Sequence, residues 1–222
     1  MTVALEGFHA VKHALRFAPG LVRGVTVVSR ADAAALCAAL APDVAEALLA
    51  LAVEGPVDHP TGVTGTADRP PLDASCLSRR TAPLVLLDHP RHGGNAGAVV
   101  RVAAAAGASG VAVLGSLDPW HPAVLRGSAG LHYALPVLRC SLEEVQGEVV
   151  ALDADGEPWS GLADDAVLAV GSERAGLSPE VGARADRVVA LPMRAGVSSL
   201  NLATAVSAAL YAWRLGAASP PA

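Results

Sequence analysis

The sequence predicts an α/β protein in which a parallel β-sheet covered by helices on both faces follows a smaller α/β unit. Three observations carry this. From Pro83 onward, short continuous apolar runs alternate with Ala-rich helical stretches, as in strands buried on both faces and joined by crossover helices. Three segments share one build, a strand end, a Gly-containing loop and a helix start: 93–101, 171–177 and 191–203. The 222 residues are 52% hydrophobic and only 17% charged, which supports a real core and argues against disorder.

Along the chain, Gly7–Phe17 reads as a helix with Phe8, Val11, Ala14 and Leu15 on one face. Leu21–Val28 reads as a strand, and Ala31–Leu40 and Val44–Ala52 as Ala/Leu helices. Val63–Ala67 is expected as a short edge strand inside a loop-dominated stretch, Gly55–Pro71, rich in Pro, Gly and Thr. A boundary is expected between Asp73 and Thr81. It gives units at 1–78 and 79–216 and a loose tail at 217–222. In the second unit, strands are expected at Pro83–Asp88, Val111–Leu114, Val149–Leu152, Val167–Val170 and Val188–Leu191. Helices are expected at Ala96–Ala106, Val124–Gly130 and Asn201–Leu215. There is no internal repeat.

Bulk properties exclude several classes. No uninterrupted apolar run approaches the ~20 residues of a membrane span, and the N-terminal Met1–Glu6 has no signal-like pattern, so a cytoplasmic protein is expected. Cys37, Cys76 and Cys140 form no Cys-x-x-Cys pair and read as reduced thiols used as small apolar residues. The net charge is −5 with one lysine, Lys12, yet Arg79, Arg80, Arg91 and Arg101 flank a single acid, Asp88. Residues 141–172 hold eight acids and no Lys or Arg. One locally positive face on an acidic protein is consistent with this, and a phosphate partner would be read mostly by arginine.

Each loop alone has a plain structural reading. Asn95 sits where a helix N-cap would sit, and Arg101, six residues on, is expected on roughly the same face. Gly171, at a strand's C-terminal end, would let a ligand approach the backbone. Glu173 beside Arg174 reads as a surface pair, and Ser199 and Asn201 as caps of their own helix. The first loop is neither a dinucleotide-binding fingerprint nor a Walker A loop. His89 and His92 form a His-x-x-His pair, but no third metal ligand stands at sensible spacing, so no metal is expected. His9 and His13 share a face of the first helix and read as helix surface.

Together the loops resemble the signature motifs of the SpoU-TrmH family in the SPOUT class of RNA methyltransferases. Asn95-Ala96-Gly97-Ala98-Val99-Val100-Arg101 resembles the family's Asn-x-Gly-Ala-x-x-Arg. Gly171-Ser172-Glu173-Arg174-Ala175-Gly176-Leu177 resembles Gly-x-Glu-x-x-Gly-Leu. Pro192-Met193, followed by Ser199-Leu200-Asn201, resembles Pro-Met-x-x-x-x-x-Ser-Leu-Asn. Arg126–Gly130 and Leu135-Pro136-Val137 also fit, so the resemblance spans residues 83–215. Residues 6–15 and Asp58–Val63 resemble parts of the L30e-like RNA-binding domain often joined to this family. The chain departs from the family at Gly93-Gly94, where Pro-x or Pro-Gly usually precedes the Asn, and at Val102, usually Thr.

The resemblance implies a trefoil-knotted domain that binds S-adenosylmethionine, preceded by an L30e-like substrate domain. It implies a homodimer with each active site built across the interface. Gly171, Leu191 and Leu200 would contact the cofactor, with Leu114, Gly115 and Met193 lining the adenosine pocket. Arg101, Asn95, Glu173, Ser199 and Asn201 would form the reacting centre, Arg101 being contributed across the dimer. The implied reaction is methylation of a ribose 2′-OH, of ribosomal RNA before tRNA. Two further classes stand beside it: a catalytically silent RNA-binding relative in ribosome assembly, and a nucleotide-dependent enzyme on a doubly wound sheet.

Overall fold

The computed structural model describes residues 1–217. Two sheets organise the chain. The first holds β1 (Thr2–Glu6), β2 (Val22–Val27), β3 (Ala52–Glu54) and β4 (Val63–Asp68) in the order β1-β4-β2-β3. Its helices are α1 (Phe8–Phe17), α2 (Arg30–Leu40) and α3 (Ala45–Leu51). Ser29 starts α2, its hydroxyl accepting from the Asp32 N–H at 3.2 Å. Val63–Ala67, expected at an edge, is instead central: β4 pairs antiparallel with both β1 and β2. The cause is β1, whose alternation of exposed and buried residues is too short and too near the terminus to stand out as a strand. The β2–β3 pair is parallel.

The second sheet is wholly parallel, in the order β10-β8-β9-β5-β6-β7. It comprises β5 (Leu84–Leu87), β6 (Gly110–Val113), β7 (Val137–Arg139), β8 (Val149–Pro158), β9 (Val167–Val170) and β10 (Arg187–Ala190). Its helices are α4 (Gly93–Ala106), α5 (Pro122–Ser128), α6 (Pro179–Arg184) and α7 (Leu202–Ala217). Successive residues of β5 serve opposite faces. Val85 and Leu87 pack with Val99, Val206 and Leu210, whereas Leu84 and Leu86 pack with Cys76, Val149 and Val181. Continuous apolar strands therefore do mark a sheet covered on both sides. The tail expected at 217–222 lies outside the described residues except for Ala217, the last residue of α7.

Two departures shape the site. β8 runs to Pro158 rather than ending at Leu152, and its register against β10 jumps from Ala151 to Glu157 between Val188 and Val189. The intervening residues leave the ladder. Second, the cores are not separate in sequence: Trp120, Leu125 and Tyr133 complete the core of the first sheet. Where α5 ends, Ala129 and Gly130 have left-handed φ of 53° and 77°, and a Cβ on Gly130 would lie 2.8 Å from Ala10 Cα of α1. His13 Nδ1 lies 2.7 Å from the Ala129 carbonyl across the same junction. Gly97 of α4 lies against Gly127 of α5. These motif glycines are thus explained by close helix packing.

Candidate active site

The three loops converge at the C-terminal edge of β8, β9 and β10, where ligands of open α/β sheets bind. They enclose a cavity of about 610 Å³ whose lining includes Asn95, Gly171, Glu173, Leu191, Met193, Ser199, Leu200 and Asn201. Eight of the eleven residues expected at the site therefore meet at one place. The segment of β8 that departs from the β10 ladder, Leu152, Asp153 and Ala154, forms another wall, Leu152 remaining paired with Val170 of β9.

Polar side chains link the loops. Asn95 Nδ2 donates to Glu173 Oε1 at 2.8 Å, and Asn201 Nδ2 donates to Asn95 Oδ1 at 3.4 Å. The Arg91 N–H reaches Glu173 Oε2 at 3.4 Å. Asn201 also caps α7, since its Oδ1 accepts from the Ala203 N–H at 3.0 Å. Cap and site ligand are therefore one side chain with its two ends in use. Burial raises the Glu173 carboxyl, but the Asn95 amide, backbone N–H donors and nearby His92 outweigh it, so its pKa lies below the ordinary glutamate value. Glu173 is thus an ionised acceptor that orients Asn95.

The second loop is a tight reversal. Ser172 and Gly176 exchange backbone hydrogen bonds of 2.9 and 3.0 Å, with Gly176 at φ 67°. A Cβ on Gly171 would collide with Gly176 and Leu177 backbone. Gly171 was expected to make room for a ligand; the room is taken by the loop folding back, although Gly171 still lines the cavity. Behind it, buried Asp88 accepts from the Ser178 N–H at 2.5 Å and pairs with His89 Nδ1 at 2.6 Å.

Several expectations are corrected. Asn95 is the third residue of α4, not its cap; His92 holds that position without a side-chain bond. Arg101 does not share the face of Asn95, because six residues at about 100° each leave it roughly 120° away. It is exposed and absent from the cavity lining. Leu114 and Gly115 follow β6, which β5 separates from β9. Leu114 is buried in the core, and Gly115 (φ 90°) faces the His89 ring, where a Cβ would lie 2.6 Å from Cδ2. Arg80, counted toward a positive face, is spent on the carbonyls of Asp165, Cys76, Leu77 and Gln146. Asp153 and Arg174 line the cavity unforeseen. Asp153 had a usable signal, an acid directly after an apolar strand.

Fold and site together define an α/β protein with a ligand cavity made from three loops at the edge of a parallel sheet. Residues 82–211 match the SpoU rRNA Methylase family, and the chain belongs to that family. It is 34% identical over 172 residues to the 23S rRNA (uridine(2479)-2′-O)-methyltransferase of Streptomyces viridochromogenes, covering 69% of this chain and 60% of that protein. It is 26% identical over 227 residues to the 23S rRNA (guanosine(2553)-2′-O)-methyltransferase RlmP of Bacillus subtilis, covering 95% and 87%. The chain spans 60% of the length of each of two curated Streptomyces relatives it matches. Among solved structures, it resembles the SpoU methyltransferase AviRb of S. viridochromogenes in complex with AdoMet. The TM-score there is 0.77 with 25% identity, covering 99% of this chain and 92% of that one. The AdoMet-bound rRNA methyltransferase of Sinorhizobium meliloti gives 0.75 and 26%, covering 98% and 88%. No helix among the described residues is long and apolar enough to cross a membrane.

Proposed function

We propose that this chain transfers a methyl group from S-adenosylmethionine to a ribose 2′-OH of ribosomal RNA, in the cytoplasm and as a homodimer. The observation that carries the reading is the Arg91–Glu173–Asn95–Asn201 hydrogen-bonded chain closing beside the cavity. The names of the matched relatives and the AdoMet complexes of the structural neighbours support the same chemistry. As part of the proposal, residues 79–216 form the knotted catalytic domain and 1–78 an L30e-like RNA-binding domain.

The residues present fit the cofactor. A volume of about 610 Å³ suits a ligand of that size. Leu152, Val170, Leu191 and Leu200 offer apolar walls to an adenine, and Asp153 and Arg174 offer charges to an amino-acid head group. When bound, S-adenosylmethionine supplies an electrophilic methyl on a sulfonium. The chain must then align the ribose hydroxyl with it and help that hydroxyl lose its proton. Asn95 and Ser199 orient the ribose. Glu173 fixes Asn95, and Asn201 fixes the third loop while capping α7. Leu114 and Gly115 have no part in this assignment. Arg101 is a poor base, because a guanidinium keeps its proton up to pH ~12. Its work is electrostatic, on a phosphate or a developing alkoxide.

Arg101's exposure on the outside of its own cavity supports its entering the partner's cavity. Exposed Val197 (47%), Leu200 (41%) and Tyr211 (39%) offer apolar surface for such a dimer. The test uses purified protein, methyl-labelled S-adenosylmethionine and separate unmodified rRNA and tRNA pools, followed by nucleoside mass spectrometry. Labelled 2′-O-methylnucleoside from rRNA is expected, with Arg101→Ala about 100-fold slower or worse. Label only in tRNA would replace the substrate. Full activity in Arg101→Ala would remove Arg101 from the reacting centre, and binding of cofactor without transfer to either pool would favour a silent RNA-binding protein.

A further inference from the structure

Taking the proton of a ribose hydroxyl needs a base, and a guanidinium such as Arg101 is a poor one. The titratable side chains lining the cavity are His92, Asp153, Glu173 and Arg174. Arg174, like Arg101, keeps its proton up to pH ~12. Glu173 has both oxygens engaged, by the Asn95 amide at 2.8 Å and the Arg91 N–H at 3.4 Å, and its lowered pKa makes it a weak base. Asp153 Oδ1 accepts from the Asp155 N–H at 3.0 Å, and carboxylates ordinarily take protons only in acid. His92 remains, and histidine is the side chain that ordinarily gains and loses a proton near neutral pH. It is exposed at the start of α4, and no hydrogen bond or ion pair engages its ring among the described residues. Its backbone, by contrast, is held on both sides. Glu173 grips the residue before it, through the Arg91 N–H, and the third residue after it, through Asn95. The His92 carbonyl accepts from the Ala96 N–H at 3.1 Å, and Gly93 lies against Ala123 and Val124 of α5. The ring is therefore free at the cavity while its anchor is fixed.

We infer that His92 is the general base of the transfer: its neutral ring takes the proton of the ribose 2′-OH as that oxygen attacks the methyl group of the sulfonium donor. This rests on the proposed ribose methylation and names the group that moves its proton. An oxygen lone pair forms the new O–CH3 bond, the methyl–sulfur bond breaks, and its electron pair stays on sulfur. The O–H proton goes to a His92 ring nitrogen, and the ring then gives it to water. One positive charge thus passes from sulfur to imidazole. The Glu173 carboxylate, whose pKa the charge of His92 helps to lower, is placed to stabilise that imidazolium. The other charges around His92 are Arg91 beside it in sequence, Arg174 on the second loop and Asp153 on β8. The third loop brings neutral side chains to the cavity. On the α5 side, His121 Nδ1 accepts from the Ala123 N–H and Arg126 pairs with Glu6, while His89 is bound to Asp88. Two carboxylates and two guanidiniums therefore surround a ring that has no partner of its own.

The experiment follows single-turnover methyl transfer to the unmodified rRNA pool by the full chain across a pH series, beside equilibrium binding of S-adenosylmethionine and of the same RNA. The wild-type rate is expected to rise with pH between about 5 and 8 and then level off. His92→Gln is expected to be about 100-fold slower or worse at neutral pH and to lose that rise, with both affinities unchanged. In His92→Ala, added imidazole is expected to restore part of the rate. A readout independent of turnover is the NMR titration of the His92 ring with cofactor bound and no RNA, assigned by its loss in His92→Gln. Its midpoint is expected to match that of kcat/KM. A His92→Gln rate within a few-fold of wild type, the same pH profile in both, or a ring midpoint apart from the kinetic one overturns the inference while leaving the methylation standing. So does a variant that loses only RNA affinity, since His92 would then bind rather than take a proton. No transfer by the wild type to either RNA pool overturns the proposed reaction itself, and this base with it.

Discussion

The two sheets solve burial differently. In the first, β1 alternates exposed and buried residues along its whole length, with Thr2, Ala4 and Glu6 turned outward. Thr2 donates to Asp68 Oδ1 and Arg23 Nε donates to Asp68 Oδ2, both at 2.7 Å, linking β1, β4 and β2 across that outer face. In the second, all four residues of β5, β6 and β9 are buried. A sheet packed on one side keeps a free face and free helix surfaces for a large partner. A sheet packed on both sides has only its strand ends left, and there the cavity forms. The exposed outer face of the first sheet and the cavity of the second are thus separated by how each sheet is covered.

That contrast can be tested by perturbing each region. Leu168→Ala, in the doubly covered sheet with no solvent exposure, is expected to cost about 2–5 kcal/mol in urea unfolding. A cost below about 1 kcal/mol would mean that this core is loosely packed. At the junction, His132 is buried, with Nε2 donating to the Pro119 carbonyl at 2.8 Å and Nδ1 facing the Ser128 hydroxyl at 2.8 Å. Burial drives its pKa down to about 4, so it stays neutral in the folded state. The unfolded chain then binds more protons between about pH 6.5 and 4. Stability is full above the upper value and falls by about 3 kcal/mol on acidification through that window. Unfolding at several pH values should show this slope in the wild type and not in His132→Gln; equal slopes would remove the assignment. The smallest effect is expected for Val53→Thr on β3, where the side chain is 68% exposed. A change within about 0.5 kcal/mol is expected, and a larger loss would indicate that a partner covers this face.

The same contrast explains what could be read beforehand. Strands 84–88 and 167–170 were legible because uninterrupted Val and Leu leave few alternatives, and α1 because Phe8, Val11, Ala14 and Leu15 recur at helical spacing. β1, β3 and β7 escaped, being short or alternating. In the site, the loops that meet were legible as strand–Gly–helix turns. Their polar partners were less so: Asn95 was expected to cap α4 and instead bridges Glu173 and Asn201, residues 78 and 106 positions away.

The sequence by itself determined the class of element at most positions, the three loops and the membership they signal, because propensity, capping and apolar period are local properties of the chain. Only the tertiary structure decided that β4 is central, that β8 departs from the β10 ladder where it walls the cavity, that Gly171 makes room for its own loop, and that Arg101 is exposed outside the cavity. Each of these depends on pairings between residues far apart in sequence. Their free energy comes from which surfaces exclude water together and which hydrogen bonds close across the sheet, and no local pattern encodes that choice.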